Sequence, residues 1–239
     1  LALTTNGSQL HRLAEPLFSM GVSRINVSLD SLEPRKFRQL TRHGNRDQVI
    51  AGIDSAIDAG FSRIRLNAVI LKGRNEDEVL DLVNFALQRD IDIAFIEEMP
   101  LGKIDEHDRA LSFLSSEALR QIIARQHTLE TTPEQRDAGG PARYYKTGSS
   151  PSRIGFISPH SHNFCHLCNR VRVTAEGRLL LCLGNEHSVD LRAVLRSGNY
   201  SRRLLKRTIV ESLDIKPEKH YFNLSEPPQI VRFMNATGG

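Results

Sequence analysis

RINVSLD, residues 24–30, alternates strictly between apolar and polar side chains. Ile25, Val27 and Leu29 fall on one side and Asn26, Ser28 and Asp30 on the other, the two-residue period of a strand with one covered face. RIRLNAVI (63–70) and IDIAFIEE (91–98) read as further strands, and the opening LALTTNG reads as the end of a buried strand running into a turn. Helical spacing separates them. Leu10, Leu13, Leu17 and Met20 recur over 9–20 and stop at Gly21, while Val49, Ile50, Ile53 and Ile57 recur over 46–59 and stop at Gly60. Pro34 suits the start of a short helix. Asn75 with Glu78 three residues on forms a capping signal for a helix bearing Val79, Leu82, Val83 and Ala86. Strand and helix alternating in units of about thirty residues predict an α/β fold, with parallel strands joined by right-handed crossovers. A partial barrel of the TIM type is the natural closure.

In such barrels ligands bind at the C-terminal ends of the strands. Here those ends carry Thr4-Thr5-Asn6-Gly7, Asn26/Ser28/Asp30, Arg65/Asn67 and Glu97/Glu98/Met99. Each alone has a structural explanation as a turn, a cap or a paired charge; together they predict a site. After Pro100 the rhythm breaks. A loop over 101–115 and a helix near 115–126 precede a stretch rich in Thr, Pro, Gly and Ser, with strand candidates at 127–131, 142–146 and 153–157. The division expected is therefore a barrel portion over 1–100 and a smaller α+β domain over 101–239.

That second part holds all three cysteines of the chain. Cys165 and Cys168 form a C-x2-C pair, Cys182 follows after thirteen intervening residues, and the apolar run Leu179–Leu183 reads as a strand returning the third thiol. An odd count disfavours a disulfide framework. Three unrelated buried cysteines are one reading, which their clustering disfavours; two metal readings stay open beside it, a zinc site completed by His160, His162, His166 or His187, or a cluster held by three thiolates with one iron left open. Arg170 and Arg172, two apart on an extended segment beside Cys168, share a side, and guanidinium forks match phosphate oxygens. The basic run SRRLLKR (201–207) reads as a solvated helix face, and the segment from KPEKHYFN to Gly238-Gly239 shows no fold of its own.

At 239 residues, with 39 % hydrophobic and 25 % charged residues, the composition is that of a globular chain able to bury a large core. No apolar run approaches a membrane span and no signal peptide is evident, so a cytoplasmic location is expected. The formal charge of +4 does not by itself point to nucleic acid. The chain opens on Leu1, inside what reads as a strand, which suggests part of a longer protein.

FCHLCNRVRVTAEGRLLLCL (164–183), with TTNG (4–7), INVSLD (25–30), RLNAVI (65–70), FIEEMP (95–100) and the final Gly238-Gly239, closely resembles the molybdenum-cofactor biosynthesis GTP 3′,8-cyclases, a radical S-adenosylmethionine family. The likeness spans essentially the whole chain, and C-x2-C-N-R-x-R with its distant third cysteine is its most specific part. The resemblance implies that Cys165, Cys168 and Cys182 hold a 4Fe-4S cluster whose open iron takes the guanine of GTP. It implies GTP contacts from Thr4, Arg170, Val171 and Arg172, and from Arg65 where the family usually has lysine. Ser28 and Met99 would contact S-adenosylmethionine, and Gly238-Gly239 would form the tail thought to reach the catalytic centre.

The same resemblance implies a 5′-deoxyadenosyl radical that abstracts hydrogen from C3′ of GTP, after which the ribose radical attacks C8 to give 3′,8-cyclo-7,8-dihydro-GTP. It further implies a homodimer and, as the next enzyme, cyclic pyranopterin monophosphate synthase. The C-x3-C-x2-C motif for the family's second, radical-generating 4Fe-4S cluster is not found, so this stretch is expected to bind but not to catalyse alone. Two other classes remain: a zinc-stabilised nucleic-acid-binding module, and a related radical enzyme with another substrate.

Overall fold

Alternation divides the first sheet into two unlike faces. The computed structural model describes residues 1–104, 107–132, 141–226 and 230–232. β1 (Ala2–Thr5), β2 (Arg24–Ser28), β3 (Arg63–Val69) and β4 (Asp92–Ile96) pair in parallel and in sequence order. Their connections are helical: α1 (Leu10–Ser19), α2 (Pro34–Thr41) with α3 (Arg46–Asp58), and α4 (Val79–Gln88). Ile25, Val27, Leu66, Ala68, Ile93 and Phe95 lie buried in one core with Leu10, Ala14, Ile53, Leu82, Val83 and Ala86 of the helices. Each large side chain buried there contributes roughly 1.5–3 kcal/mol. The other face carries Asn26, Ser28, Arg65, Asn67 and Asp92, all partly accessible.

The sheet runs further than the sequence indicates. β5 (Glu130–Thr131), β6 (Arg143–Lys146) and β7 (Arg153–Ile157) were expected in the smaller domain, yet among the described residues one seven-stranded sheet has the order β1-β2-β3-β4-β7-β6-β5. β7 joins β4 in parallel, and β6 and β5 continue antiparallel. The reason lies in β7 itself, RIGFI, whose Ile154 and Phe156 are buried in the core of the parallel strands. The two packing units are accordingly Leu1–Glu98 with Leu111–His162, and Met99–Ala110 with Asn163–Gly239, so a single cut after residue 100 does not follow the packing. α5 (Arg109–Ser112) interrupts the expected 101–115 loop, and α6 (Ser116–Ile123), capped by the Ser115 hydroxyl accepting from Ala118 N–H, takes the place of the helix near 115–126.

Asn75 also differs from expectation. It does not cap the following helix; its buried side chain accepts from Leu71 N–H and donates to Asp30 and Val69 carbonyls. Glu78, its expected capping partner, accepts from the Ser31 hydroxyl and from the backbone N–H of Leu32 and Glu33. Buried donors must find acceptors, and the chain leaving β2 has no strand partner to supply them.

The second unit is small. β8 (Arg172–Val173), β9 (Arg178–Leu180) and β10 (Ser188–Asp190) form an antiparallel sheet in the order β10-β9-β8. Leu179, Leu181 and Leu191 make its core with Leu205 and Ile209, which brings α7 (Leu191–Leu195) and α8 (Arg202–Ser212) against the sheet. No described helix is long and apolar enough to cross a membrane.

Gly7 shows how tightly the first turn is packed. Its φ is +76°, and a Cβ there would stand 2.9 Å from both Val27 Cγ1 and Val49 Cγ1. Gly7→Ala should therefore combine left-handed strain of about 1–2 kcal/mol with overpacking of about 1–3 kcal/mol. Urea unfolding should show a loss of at least about 2 kcal/mol, since both contributions act in the same direction.

Candidate functional site

Strand register assembles a polar row across the accessible face of the first sheet. Thr4 lies opposite Asn26, Asn26 opposite Arg65 and Arg65 opposite Asp92. Asn26 Nδ2 donates to Thr4 Oγ1 over 3.1 Å. Arg153 donates to Asp92 from its backbone N–H at 2.9 Å, from Nε at 3.1 Å and from Nη2 at 2.5 Å, and its guanidinium stacks 4.4 Å from the Tyr144 ring centre. Arg65 Nη1 donates to the Tyr144 hydroxyl over 2.8 Å. Gly155 makes room for this ring, because a Cβ there would sit 2.8 Å from Tyr144 Cε1.

Arg65 therefore keeps one guanidinium nitrogen tied to Tyr144 while its Nε is buried without a hydrogen-bond partner. Arg24, Arg63, Arg65 and Arg153 surround the single carboxylate of Asp92 in a cavity of about 170 Å³. With Asp92 engaged by Arg153, the balance is positive and suits an anion.

At the C-terminal end of the strands, Ser28 closes β2 directly opposite Asn67 of β3. Asn67 Oδ1 is buried without a partner among the described residues, an acceptor open to a ligand's donor. Asp30 accepts from Val69 N–H at 2.8 Å, and desolvation pushes its carboxyl up to about 6 against that bond. Glu97 has another use. Its carboxylate accepts from Ser116 N–H, His160 N–H, Ser161 N–H and the Ser161 hydroxyl. Burial alone would raise this carboxyl, but the hydrogen bonds outweigh it and hold the group below its ordinary value. Glu97 ties the loops around β7 to the end of β4, and its lone pairs are occupied.

In the second unit, Met99 precedes a braced stretch: Leu101 bridges to Ile230, Gly102 N–H donates to the Ile230 carbonyl, and buried Arg109 donates to the carbonyls of Leu101 and Gly102. Gly238 and Gly239 lie outside the described residues.

The three thiols are free and partly accessible. Cys165 opens a single 3-10 turn, Cys165–Leu167, in which Cys168 N–H returns to the Cys165 carbonyl at 3.0 Å and Cys165 N–H is held by Asn163 Oδ1 at 2.7 Å. Cys182 leaves the end of β9 just after Leu181, which is fully buried. Burial pushes the Cys182 thiol up, Gly184 N–H and the Lys216 ammonium oppose this, and the charges of Cys165 and Cys168 add to it. The three sulfurs therefore share one electrostatic neighbourhood. Among the described residues no three His, Cys, Asp or Glu side chains are arranged to hold a single metal ion. The three thiols, on the turn around Cys165 and Cys168 and just beyond β9, are soft sulfur donors of the kind that bind iron-sulfur groups.

Arg172 is half-buried beside these sulfurs. Burial lowers its guanidinium pKa, while Cys168 and Cys182 pull it back up. Accessibility alternates from Arg170 to Val173, with the arginines the less exposed pair, as the expected extended segment requires. Of the remaining histidines near the cysteines, His160 is in the first unit, where its backbone N–H donates to Glu97 and its ring meets Phe113 edge-on.

Sequence reading missed Tyr144, Gly155, Lys216 and His220. The first two face each other on the paired strands β6 and β7, whose place in the first sheet was not legible. The last two belong to the KPEKHYFN segment: Lys216 Nζ donates to the Arg170 and Leu181 carbonyls at 3.1 and 2.7 Å, and the His220 ring nitrogen lies 3.1 Å from Asn163 Nδ2. Over the described residues 216–226 this segment forms no helix or strand, and these ties hold it to the cysteine loops.

Comparison with known proteins finds two family models that match the chain. The Molybdenum Cofactor Synthesis C family matches residues 91–222 and the Radical SAM superfamily matches residues 1–86. GTP 3′,8-cyclase of Marinobacter nauticus is 58% identical over 238 residues, covering 100% of this chain and 72% of that protein. GTP 3′,8-cyclase of Pseudomonas entomophila is 59% identical over 240 residues, covering 100% of this chain and 71% of that protein. Among solved structures, Streptococcus suis SuiB bound to S-adenosylmethionine is similar with a TM-score of 0.52 at 13% identity, covering 87% of this chain and 49% of that one. That likeness concerns the fold.

The raised Asp30 carboxyl gives a pH-dependent stability with a definite sign. Because the folded-state value of about 6 exceeds the ordinary 3.8, the stability linked to its proton is present below about pH 4 and is lost as pH rises through 6. Asp30→Asn, whose side-chain oxygen can still accept from Val69 N–H, should be more stable than the parent at pH 7.5 by on the order of 2 kcal/mol. Urea unfolding between pH 4 and 7.5 should show that advantage shrinking through pH 6 and vanishing near pH 4.

Proposed function

The chain belongs to the GTP 3′,8-cyclase family of radical S-adenosylmethionine enzymes, and from that premise we propose that it binds the two molecules of that reaction through the residues described above. The reading rests on one observation above all, the half-buried Arg172 of β8, four residues after Cys168 and paired in register with Leu180, two residues before Cys182. A phosphate-matching fork beside a three-thiol set is what a nucleotide bound at an open iron requires.

Cys165, Cys168 and Cys182 hold a 4Fe-4S cluster in this reading, which when bound offers one open iron to the guanine base. The protein's own part is to bind and orient. Arg170 and Arg172 neutralise GTP phosphates, Val171 lies between them, and Thr4 and Arg65 are further residues assigned to the nucleotide. Arg65 replaces a lysine of the family with a fork, which binds with stricter geometry, and Tyr144 fixes that fork. Ser28 and Met99 contact S-adenosylmethionine; the unpartnered Asn67 Oδ1 opposite Ser28 fits a donor group of that ligand. The accessible sheet face is the inner wall of a partial TIM-type barrel, and Gly238-Gly239 form the tail that reaches the catalytic centre. A cytoplasmic homodimer that passes its product to cyclic pyranopterin monophosphate synthase completes the proposal.

Two experiments test it. After anaerobic reconstitution the chain should carry about four irons and four sulfides, with an EPR spectrum perturbed by GTP; one zinc without sulfide would leave the cysteines as a structural clip. Separately, calorimetric titration with GTP should show Arg65→Ala weakening binding about tenfold or more. Tyr144→Phe should produce a smaller loss that disappears in an Arg65→Lys background, since the hydroxyl acts only through the fork.

A further inference from the structure

Lys216 occupies a place that neither phosphate binding nor the thiols themselves explain. It follows the single turn Leu213–Ile215 at the end of α8 and is only partly accessible. Its ammonium donates to the Leu181 carbonyl at 2.7 Å and to the Arg170 carbonyl at 3.1 Å. Leu181 immediately precedes Cys182, and Arg170 lies two residues after Cys168. One cation thus joins the backbones of the two segments that carry the thiols. Four residues on, His220 approaches Asn163 Nδ2 at 3.1 Å, and the same Asn163 holds Cys165 N–H at 2.7 Å. All three cysteine positions are braced from one short stretch, residues 216–220.

We propose that Lys216 is a positioning residue for the three-cysteine site, fixing the spacing of the two thiol-bearing segments and placing a positive charge beside them. The inference rests on the cluster reading given above. A tethered ammonium donating two hydrogen bonds is costly to remove, because both carbonyls lose a charged donor. A positive charge close to an iron-sulfur cluster also favours its reduced, more negative state, and charge and hydrogen bonding are among the properties that set such potentials. A side chain serving only to pack α8 would influence neither quantity specifically.

The test compares Lys216→Met, Lys216→Gln and Lys216→Arg in the reconstituted 239-residue chain, whose only cysteines are the three in question. Iron and sulfide per chain and the midpoint of an EPR-monitored redox titration are measured, with circular dichroism as the check on folding. Lys216→Met should lose at least half of the iron and sulfide. Lys216→Gln, which keeps a donor without the charge, should retain more cluster but shift the midpoint to more negative potential. Lys216→Arg should restore both properties towards the parent. Parent-like iron content and midpoint in Lys216→Gln overturn the proposal even if Lys216→Met fails to fold. A parent chain that takes up neither iron nor sulfide overturns the cluster reading itself, and the role of Lys216 with it.

Discussion

Parallel pairing of β1 to β4, each with a two-residue period, is the constraint on which the first unit depends. Because neighbouring strands run the same way, their connections must cross the sheet, and the helices that make the crossings cover the Ile25, Val27, Leu66 and Phe95 face. Register then leaves every other residue on the accessible face at matching height. Thr4, Asn26, Arg65 and Asp92 come into one row as a consequence of pairing, although they are far apart in the chain. A slip of one residue in any strand would exchange that row for core side chains.

Polar groups at the strand ends fall into two kinds. Glu97, Glu78 and Asn75 are buried and fully engaged with loop backbone, so they set where the chain travels after each strand. Asn67 Oδ1 and Arg65 Nε are buried and unengaged. Leaving such groups unsatisfied typically costs about 1–3 kcal/mol each, which marks them as positions where a ligand can complete the structure. The contrast separates residues that build the site from residues that would use it.

The second unit works with far less apolar material. Its core is Leu179, Leu181 and Leu191 with a few helix residues, and the thiol-bearing loops hold their shape through local polar ties. Asn163 Oδ1 accepts from Cys165 N–H, and Lys216 bridges the loop carbonyls. Small modules with limited cores commonly rely on such staples or on a metal group.

Local pattern alone determined the four parallel strands and the helices between them, because period and stop signals reside in neighbouring residues. It also marked the cysteines, whose spacing is itself the chemical signal, and the extended Arg170–Arg172 segment beside them. Tertiary structure decided what depends on distant partners. Whether RIGFI extends the first sheet or builds the second unit turns on the burial of Ile154 and Phe156 against β4, which no window around residue 155 contains. Tyr144 reaches Arg65 across 79 positions, and Lys216 reaches Arg170 and Leu181 across 46 and 35. A side chain's hydrogen-bond partner is chosen by whichever donor or acceptor the fold brings within about 3 Å, and sequence spacing carries no record of that choice.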